Sequence, residues 1–360
     1  MKPLCIIGGK LQGFEVAYLA RKAGMEVILA DKNPRPLIRN AVDEFICFDI
    51  TENPDLLYEI SGRVCGIIPT NENPGTLRFL KGMASKLACP LFFDFDAYHV
   101  SMDKKRSKTY FTSVGVPTPS DNPPEPPFFV KPPCMSGSIG ARIIESTEEA
   151  ARLGPEMLIE EYVPGPVISL EVVGDGRNAA VGGQTEIHID EVYDCHKVTP
   201  MQRNEEFADI ARKLALGLKL KGIMDVEAIL SPSGIKVIEI DARFPSQTPT
   251  VIYHSHGINL LEWLIGAFSG KTPQEKSAEL QYCTYEHLLV QGQELVPSGE
   301  HVISAGEDYA EFHEEEGIEI FKCTGESTAY TLICTAGNRA QVGEKRKRAI
   351  GIIRKDIEGR

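Results

Sequence analysis

Lys221-Gly222-Ile223-Met224-Asp225-Val226-Glu227-Ala228-Ile229-Leu230-Ser231-Pro232-Ser233-Gly234-Ile235-Lys236-Val237-Ile238-Glu239-Ile240-Asp241-Ala242-Arg243 consists of two apolar runs around a Pro-Ser-Gly break. Such a break suits a hairpin with a three-residue loop and Gly234 in the left-handed conformation. That loop sets Ser231 opposite Ile235, so that Glu227 faces Glu239 and Asp225 faces Asp241. Side chains alternate along a strand, which puts the four carboxylates and Arg243 on one face with Ile223, Ile229 and Val237. Carboxylates opposed on a half-apolar face repel one another and hydrate poorly. A solvated acidic face would have lysines or polar groups as neighbours. This one asks for a cation between its acids.

Around that hairpin lies a chain of 360 residues, long enough for two or three domains. With 38 basic and 51 acidic residues the net charge is −13, which argues against a nucleic-acid face needing clustered Lys and Arg. The basic run Lys345-Arg346-Lys347-Arg348 has no interleaved aromatic residues and reads as a solvated turn. Nine scattered cysteines without a Cys-x-x-Cys suggest neither a disulfide framework nor a thiolate zinc site. Cys5, Cys283 and Cys334 sit in apolar runs as buried thiols. The chain opens straight into a strand, and no stretch is apolar for the roughly 20 residues a bilayer requires. A cytoplasmic protein without membrane or nucleic-acid partners is expected.

Pro3 to Gly9 is a short buried strand running into glycines. A helix over Phe14–Gly24 and a second strand, Met25 to Asp31, follow. This strand–glycine turn–helix–strand–Asp unit is of the dinucleotide-binding kind. Its fingerprint is defective, because Lys10 stands where a second glycine should let the backbone approach a pyrophosphate. A nicotinamide dehydrogenase is thereby disfavoured, although the turn can still bind a small ligand. Strands at Phe45–Ile50 and Gly66–Asn73 also end in polar residues at the edge where open α/β sheets bind ligands. Glu72 reads equally as a partner for a substrate ammonium or as a neighbour of a helix N-cap.

In the middle of the chain, Asp103 to Lys108 precedes a helix expected over Thr109–Gly115, and Pro117 to Pro127 forms a linker. A strand at Phe128–Pro133 carries Lys131. It leads into Cys134 to Arg142, a Ser/Gly-rich segment containing Ser138 and suited to covering phosphate. The segment lacks the Gly-Lys-Ser/Thr ending and following helix of a Walker loop. Met157 to Gly165 is a strand whose backbone at Tyr162 and Val163 could meet an adenine edge. The helix from Asn204 to Leu218 is amphipathic and assigned to packing. His254 and His256 alternate at a strand or loop edge and are read as non-catalytic.

Taken in order, these pieces resemble the ATP-grasp carboxylate–amine ligases. The pieces are the glycine-turn domain, Lys104, Lys131, the Ser/Gly loop, Glu160-Glu161-Tyr162-Val163, Glu171 and the acidic hairpin with Arg243. The resemblance implies an α/β ATP-grasp fold. It would comprise a Rossmann-like domain over 1–97, a central and nucleotide-binding region over 98–290 with its lid at about 115–165, and a small C-terminal domain over 291–360. It implies ATP contacts at Lys10, Asp31, Asp49, Lys104, Lys131, Ser138, Glu160, Glu161, Tyr162 and Val163. It also implies two magnesium ions on Glu227, Glu239 and Asp241. Asp241 departs from the commoner Asn, which keeps a ligand and adds negative charge.

Further runs are similar to the members of that family that join an ornithine-type D-amino acid to the side-chain amine of L-lysine. These are Gly9 to Glu15, Ala30 to Pro34 with Ile38-Arg39-Asn40, Val192 to His196, and Asp241 to Thr250. The likeness implies an acyl phosphate made from ATP and then displaced by the amine, with Lys131 and Arg243 as catalytic cations. Arg243 would bind the carboxylate and the tetrahedral oxyanion; its bland alternative is a salt bridge to Asp241 or Glu239. Ser169, Glu171 and Asp225 are candidates for the ornithine part, with Ser246, Gln247 and Thr248 closing around it. Leu11, Gln12 and Glu72 are candidates for lysine, and Glu300 is either another or a mere turn residue. Many relatives are dimers, so a homodimer is possible. The competing readings are a different ATP-grasp ligase, such as a D-alanine–D-alanine-like or bicarbonate-using one, and an idle nucleotide-binding module. An idle module need not keep the metal acids and the Arg together.

Overall fold

The computed structural model describes residues 2–134, 140–271, 273–275 and 281–359. Four short strands begin the chain: β1 (Leu4–Ile7), β2 (Val27–Asp31), β3 (Glu44–Cys47) and β4 (Ile67–Pro69). They form a parallel sheet in the order β3-β2-β1-β4. Helix α1 (Leu11–Lys22) connects β1 to β2 and α2 (Pro54–Arg63) connects β3 to β4, a 3-10 turn (Arg39–Ala41) lies between β2 and β3, and α3 (Pro74–Met83) follows β4. The expected glycine-turn unit is present. Its helix starts at Leu11, and Gly24 follows its last turn with φ +67°.

Two helices follow, α4 (Phe95–Ser101) and α5 (Lys104–Ser113). The second starts five residues before the expected Thr109. The Asp103 carboxylate accepts the amides of Lys105 and Arg106 at 2.9 and 3.1 Å, an N-cap that the sequence reading passed over. Lys104 and Lys108 are therefore four apart on one helix face. A three-stranded antiparallel sheet comes next, β5 (Phe128–Lys131), β6 (Arg142–Ile144) and β7 (Leu158–Glu161), with β5 in the centre and α6 (Thr147–Ala150) between β6 and β7. Phe128, Val130 and Ile144 make its small core.

The remaining strands build one large sheet. They are β8 (Val167–Asp175), β9 (Ala179–Ile189), β10 (Cys195–Met201), β11 (Lys221–Ser231), β12 (Gly234–Asp241), β13 (Tyr282–Gln291), β14 (Glu294–Pro297), β15 (Asp308–Glu315), β16 (Ile318–Thr324) and β17 (Ala329–Ala336). The order among the described residues is β12-β11-β8-β9-β10-β13-β17-β16-β15, with β14 beside β13. Helix α7 (Glu205–Leu218) packs Phe207, Ala211 and Leu214 against β8 and β9. Helices α8 (Thr248–His256) and α9 (Leu260–Phe268) lie between the large sheet and α1. His254 and His256 thus end a helix, not a strand edge. On α1, Phe14 meets Tyr309 and Phe321 edge-on at 4.6 and 4.9 Å, which locks the first domain to the far end of the sheet. Helices α10 (Glu300–Ser304) and α11 (Arg339–Glu358) complete the chain.

The hairpin β11–β12 pairs Asp225 with Asp241 and Glu227 with Glu239, as its sequence requires, by a different route. Its ladder closes at Ser231 opposite Gly234, one residue tighter than expected, so Ala228 faces Val237 and Ile229 faces Lys236. A bulge beside Glu227 then takes up the extra residue. Val237 consequently points into the core with Ile235 and Ile240, and Ile238 takes the place on the acidic face that the sequence reading gave to Val237.

Gly66, just before β4, lies so close to the Phe92 ring that an added Cβ would sit 2.1 Å from it. Gly66→Ala is expected to cost about 1–3 kcal/mol through overpacking. Denaturant unfolding of the purified variant measures this, and an unchanged midpoint would contradict the packing.

Candidate active site

Three strands of the large sheet line up the acids. Asp225 on β11 has Glu171 of β8 on one side and Asp241 of β12 on the other. Glu227 lies likewise between Ser169 and Glu239. Ser169 and Glu171 are fully buried and Asp225 nearly so. Burial, with Glu239 and Asp241 beside it, pushes the Glu227 carboxyl up to about 8. Burial also raises Asp225 and Asp241 well above the usual carboxylate range, against the pull of Arg243.

Two cations reach this face. Lys104 Nζ is 2.5 Å from Glu239 Oε1. Arg243 gives Nη2 to Asp241 at 2.8 Å and Nε to Glu72 at 3.0 Å, with Nη1 3.9 Å from Asp225. The salt bridge to Asp241, the bland alternative for Arg243, is therefore present. Glu171 Oε2 and Asp225 Oδ1 are buried and accept no hydrogen bond among the described residues. Such orphaned acceptors suit ammonium groups. The set Glu227, Glu239 and Asp241 fits divalent cations, since its oxygens are hard donors gathered on adjacent strands of one face.

The bulge has a second effect. Lys131, at the end of β5, donates to the carbonyl of Ile238 at 3.3 Å and pairs with Glu160 at 2.9 Å. Glu160 also receives Lys108 at 2.7 Å, so its carboxylate is spent between two lysines. Glu161 pairs with Lys236 and accepts from Ser120 at 2.5 Å. The amides of Glu161 and Tyr162 are engaged as well, by the carbonyls of Ser120 and Pro127 at 3.0 and 3.3 Å. Lys108 was missed in the sequence, although its four-residue spacing from Lys104 was the available signal. Ser138 lies outside the described residues.

A cavity of about 270 Å³ is lined by Lys104, Lys131, Tyr162, Glu227, Glu239 and Arg243, among others. A second, of about 640 Å³, opens at the C-terminal edge of the first sheet over Lys10, Leu11, Gln12, Asp31, Asp49 and Glu72. Lys10, Asp31 and Asp49, grouped by the sequence with the other ATP residues, are thus not brought to the same cavity as Lys104 and Lys131. Asp31 holds the glycine turn, accepting from Gly9 N at 2.7 Å and Asn33 N at 2.8 Å. Asp49 holds its own turn through Thr51.

Arg243, Ser246, Glu300 and Asp194 line both cavities. Gln12 donates to Glu72 at 2.8 Å, and Glu72 holds Arg243, so a polar chain runs from one cavity to the other. Ser246-Gln247-Thr248 is a γ-turn with Gln247 at φ +67°, ψ −54°, closed by Thr248 N to Ser246 O at 2.8 Å. This is the rarer, strained γ-turn form. Ser246 Oγ and Gln247 Nε2 both donate to Glu300 Oε2, at 2.8 and 3.1 Å. Asp190, Asp194 and His301 gather beside it. Their oxygens accept the amides of Val192, Asp194, Cys195, Gly299 and His301, which ties the β9–β10 tip to the start of α10. Asp194 stands in the sequence reading only within the run Val192 to His196, and His301 not at all, because their contact spans 107 residues. His254 and His256 are held outside both cavities, by Tyr18 at 2.6 Å and Ser255 at 2.7 Å.

An acidic hairpin facing two lysines on this scaffold defines an ATP-grasp enzyme, and the ATP-grasp domain model matches residues 101–247. The chain belongs to the family of the 3-methyl-D-ornithine–L-lysine ligases. It is 54% identical to that of Methanosarcina barkeri over 98% of both chains. Among solved structures it is similar to a Campylobacter jejuni biotin carboxylase in complex with a β,γ-ATP analogue, with TM-score 0.74, 17% identity and coverage of 97% of this chain and 90% of that one. It is also similar to the biotin carboxylase domain of Hydrogenobacter thermophilus 2-oxoglutarate carboxylase with MgADP, at TM-score 0.69, 16% identity and coverage of 93% and 86%. Among the described residues no helix is long and apolar enough to cross a membrane.

Glu15 of α1 is fully buried behind the γ-turn and accepts Thr250 Oγ1 at 2.5 Å. Burial pushes its carboxyl up to about 7, against the lowering pull of that hydroxyl. A carboxyl raised on folding stabilises the protein below its unfolded value and loses that contribution as pH rises through about 7. Between pH 5 and 8 the fall in stability should be smaller in Glu15→Gln than in the wild type, by on the order of 2 kcal/mol. Parallel melting curves across that range would contradict the assignment.

Proposed function

We propose that this chain ligates the carboxylate of 3-methyl-D-ornithine to the ε-amine of L-lysine in pyrrolysine biosynthesis, with ATP going to ADP and phosphate through an acyl phosphate. The observation that carries the reading is the meeting of two cavities at Arg243, one with phosphate-type cations and metal acids, the other opening from the first sheet. A carboxylate resists an amine until one oxygen becomes a leaving group, and phosphorylation supplies it.

Lys104 and Lys131 hold the ATP phosphates, and the backbone at Glu161, Tyr162 and Val163 takes the adenine edge. Glu227, Glu239 and Asp241 hold magnesium, two ions in our reading, which when bound neutralises the transferring phosphoryl group. Glu171 and Asp225 accept the ornithine ammonium groups through oxygens that carry no hydrogen bond among the described residues, with Ser169 and the Ser246–Thr248 turn around them. Arg243 orients the ornithine carboxylate and then the tetrahedral oxyanion. For this it must exchange Asp241 or Glu72 for substrate oxygen. Leu11, Gln12, Glu72 and Glu300 receive lysine. Lys10, Asp31 and Asp49 would serve a nucleotide only at the mouth of the second cavity, where carboxylates suit ribose hydroxyls better than phosphates.

We divide the chain at 97/98 and 290/291, with the segment at about 115–165 as lid over ATP. Every residue named comes from one chain, so the site does not require the homodimer that some relatives suggest. A cytoplasmic setting accords with free ATP and amino-acid substrates.

ADP release should require both an ornithine-type D-amino acid and L-lysine. Release driven instead by bicarbonate would overturn the reading. Glu239→Gln should lower kcat by about 10²–10³-fold with the melting temperature kept, and wild-type turnover in that variant would remove Glu239 from the metal set.

A further inference from the structure

The lysine ε-amine enters as an ammonium, and its nitrogen has no lone pair until a proton leaves. Three ionisable side chains line both cavities, where the reacting ends must meet: Arg243, Asp194 and Glu300. Arg243 stays protonated. Asp194 has both oxygens engaged, Oδ1 by the Cys195 amide and Oδ2 by the amide and ring Nδ1 of His301. Glu300 differs. Ser246 and Gln247 both bind its Oε2, and Oε1 accepts nothing from the described residues.

We propose that Glu300 is the general base that takes the proton from the lysine ε-ammonium. This rests on the ligase reading above. Glu300 Oε1 accepts one ammonium proton, and the freed nitrogen lone pair attacks the acyl carbon. The carbonyl electrons move to oxygen beside Arg243 and return as the carbon–oxygen bond to phosphate breaks. Phosphate leaves with that bond pair and takes the second nitrogen proton, and Glu300 later returns its own to solvent.

The surroundings suit the task. Burial raises the Glu300 carboxyl and Asp194 adds to the rise, while Ser246, Arg243 and Gln247 pull the other way. Glu15 on α1, Cys195 on β10 and Tyr285 on β13 also feel its charge, and His301 is its neighbour on α10. The carboxylate is also anchored on both sides. Gln247 Oε1 accepts the Cys195 thiol at 2.9 Å, which fixes the Gln247 amide that orients Glu300. The Asp190–Asp194–His301 ties fix the start of α10 from the other side.

The test is Glu300→Gln assayed with two nucleophiles. With saturating lysine, kcat should fall about 10²–10⁴-fold. Its logarithm should then climb with pH toward the free amine's own pKa of about 10.4 instead of levelling as in the wild type. With hydroxylamine, which is already neutral at neutral pH, formation of hydroxamate and ADP should fall far less than amide formation with lysine. That result would also show that the variant is folded and still activates the carboxylate. An unchanged kcat with only a raised KM for lysine would reduce Glu300 to a binding group. Loss of hydroxamate in the variant alone would move its role to carboxylate activation, and either result overturns the proposal. Wild-type enzyme that forms no hydroxamate would sink the acyl-phosphate reading instead, and the base role with it.

Discussion

Five carboxylates, Glu171, Asp225, Glu227, Glu239 and Asp241, share one buried sheet face with two cations, Lys104 and Arg243. Left so, the face is short of positive charge, and the upward shifts of Glu227, Asp225 and Asp241 express that shortage. A protein rarely keeps such an arrangement for stability, because an unpaired buried charge costs more than a matched apolar pair. The shortage makes sense as a receptor for charge that arrives from outside.

The bulge in β12 shows how backbone geometry serves the same end. An unbulged ladder closing at Ser231–Gly234 would bring Ile238, not Glu239, opposite Glu227. The extra residue restores the acid pair, and the carbonyl of Ile238 receives Lys131. One irregularity thus aligns the acids and anchors the lysine of the neighbouring small sheet. Lys131 and Lys108 are held apart by Glu160 between them. Both ammonium groups are thereby held in place by the fold itself, and groups fixed in advance need little reorganisation when charge arrives.

Much of this was legible from residue order. Alternation and a Pro-Ser-Gly break were enough for the pairs Asp225–Asp241 and Glu227–Glu239. The same count put Val237 on the wrong face, because a tighter turn and a bulge are two one-residue slips that cancel at the acids. Nothing in a single sequence marks where a ladder slips. The Asp103 cap and the Lys104–Lys108 spacing were local signals that went unread. Glu300, Asp194 and His301 were different, since their neighbours come from segments far away in the chain. Their roles depend on how the first domain docks through Phe14 onto Tyr309 and Phe321, and no local pattern encodes that docking. The split of Lys10, Asp31 and Asp49 from the other nucleotide residues has the same origin.

The strained turn at Gln247 links these scales. A non-glycine residue at φ +67° costs of order 1–3 kcal/mol and persists only where its surroundings over-determine it. Here they do. The Cys195 thiol and Glu300 hold the Gln247 side chain, Pro249 stiffens the first turn of α8, and Thr250 binds buried Glu15 behind it. A relaxed turn would separate the Ser246 hydroxyl and the Gln247 amide. The strained one aims both at a single oxygen of Glu300 and leaves the other without a donor. Two acids therefore flank this turn. Glu15 is sealed in the core, where its carboxyl can keep a proton, and Glu300 lines both cavities, where it can accept one. Strain held by the core thus fixes the orientation of a carboxylate at the point where the two cavities meet.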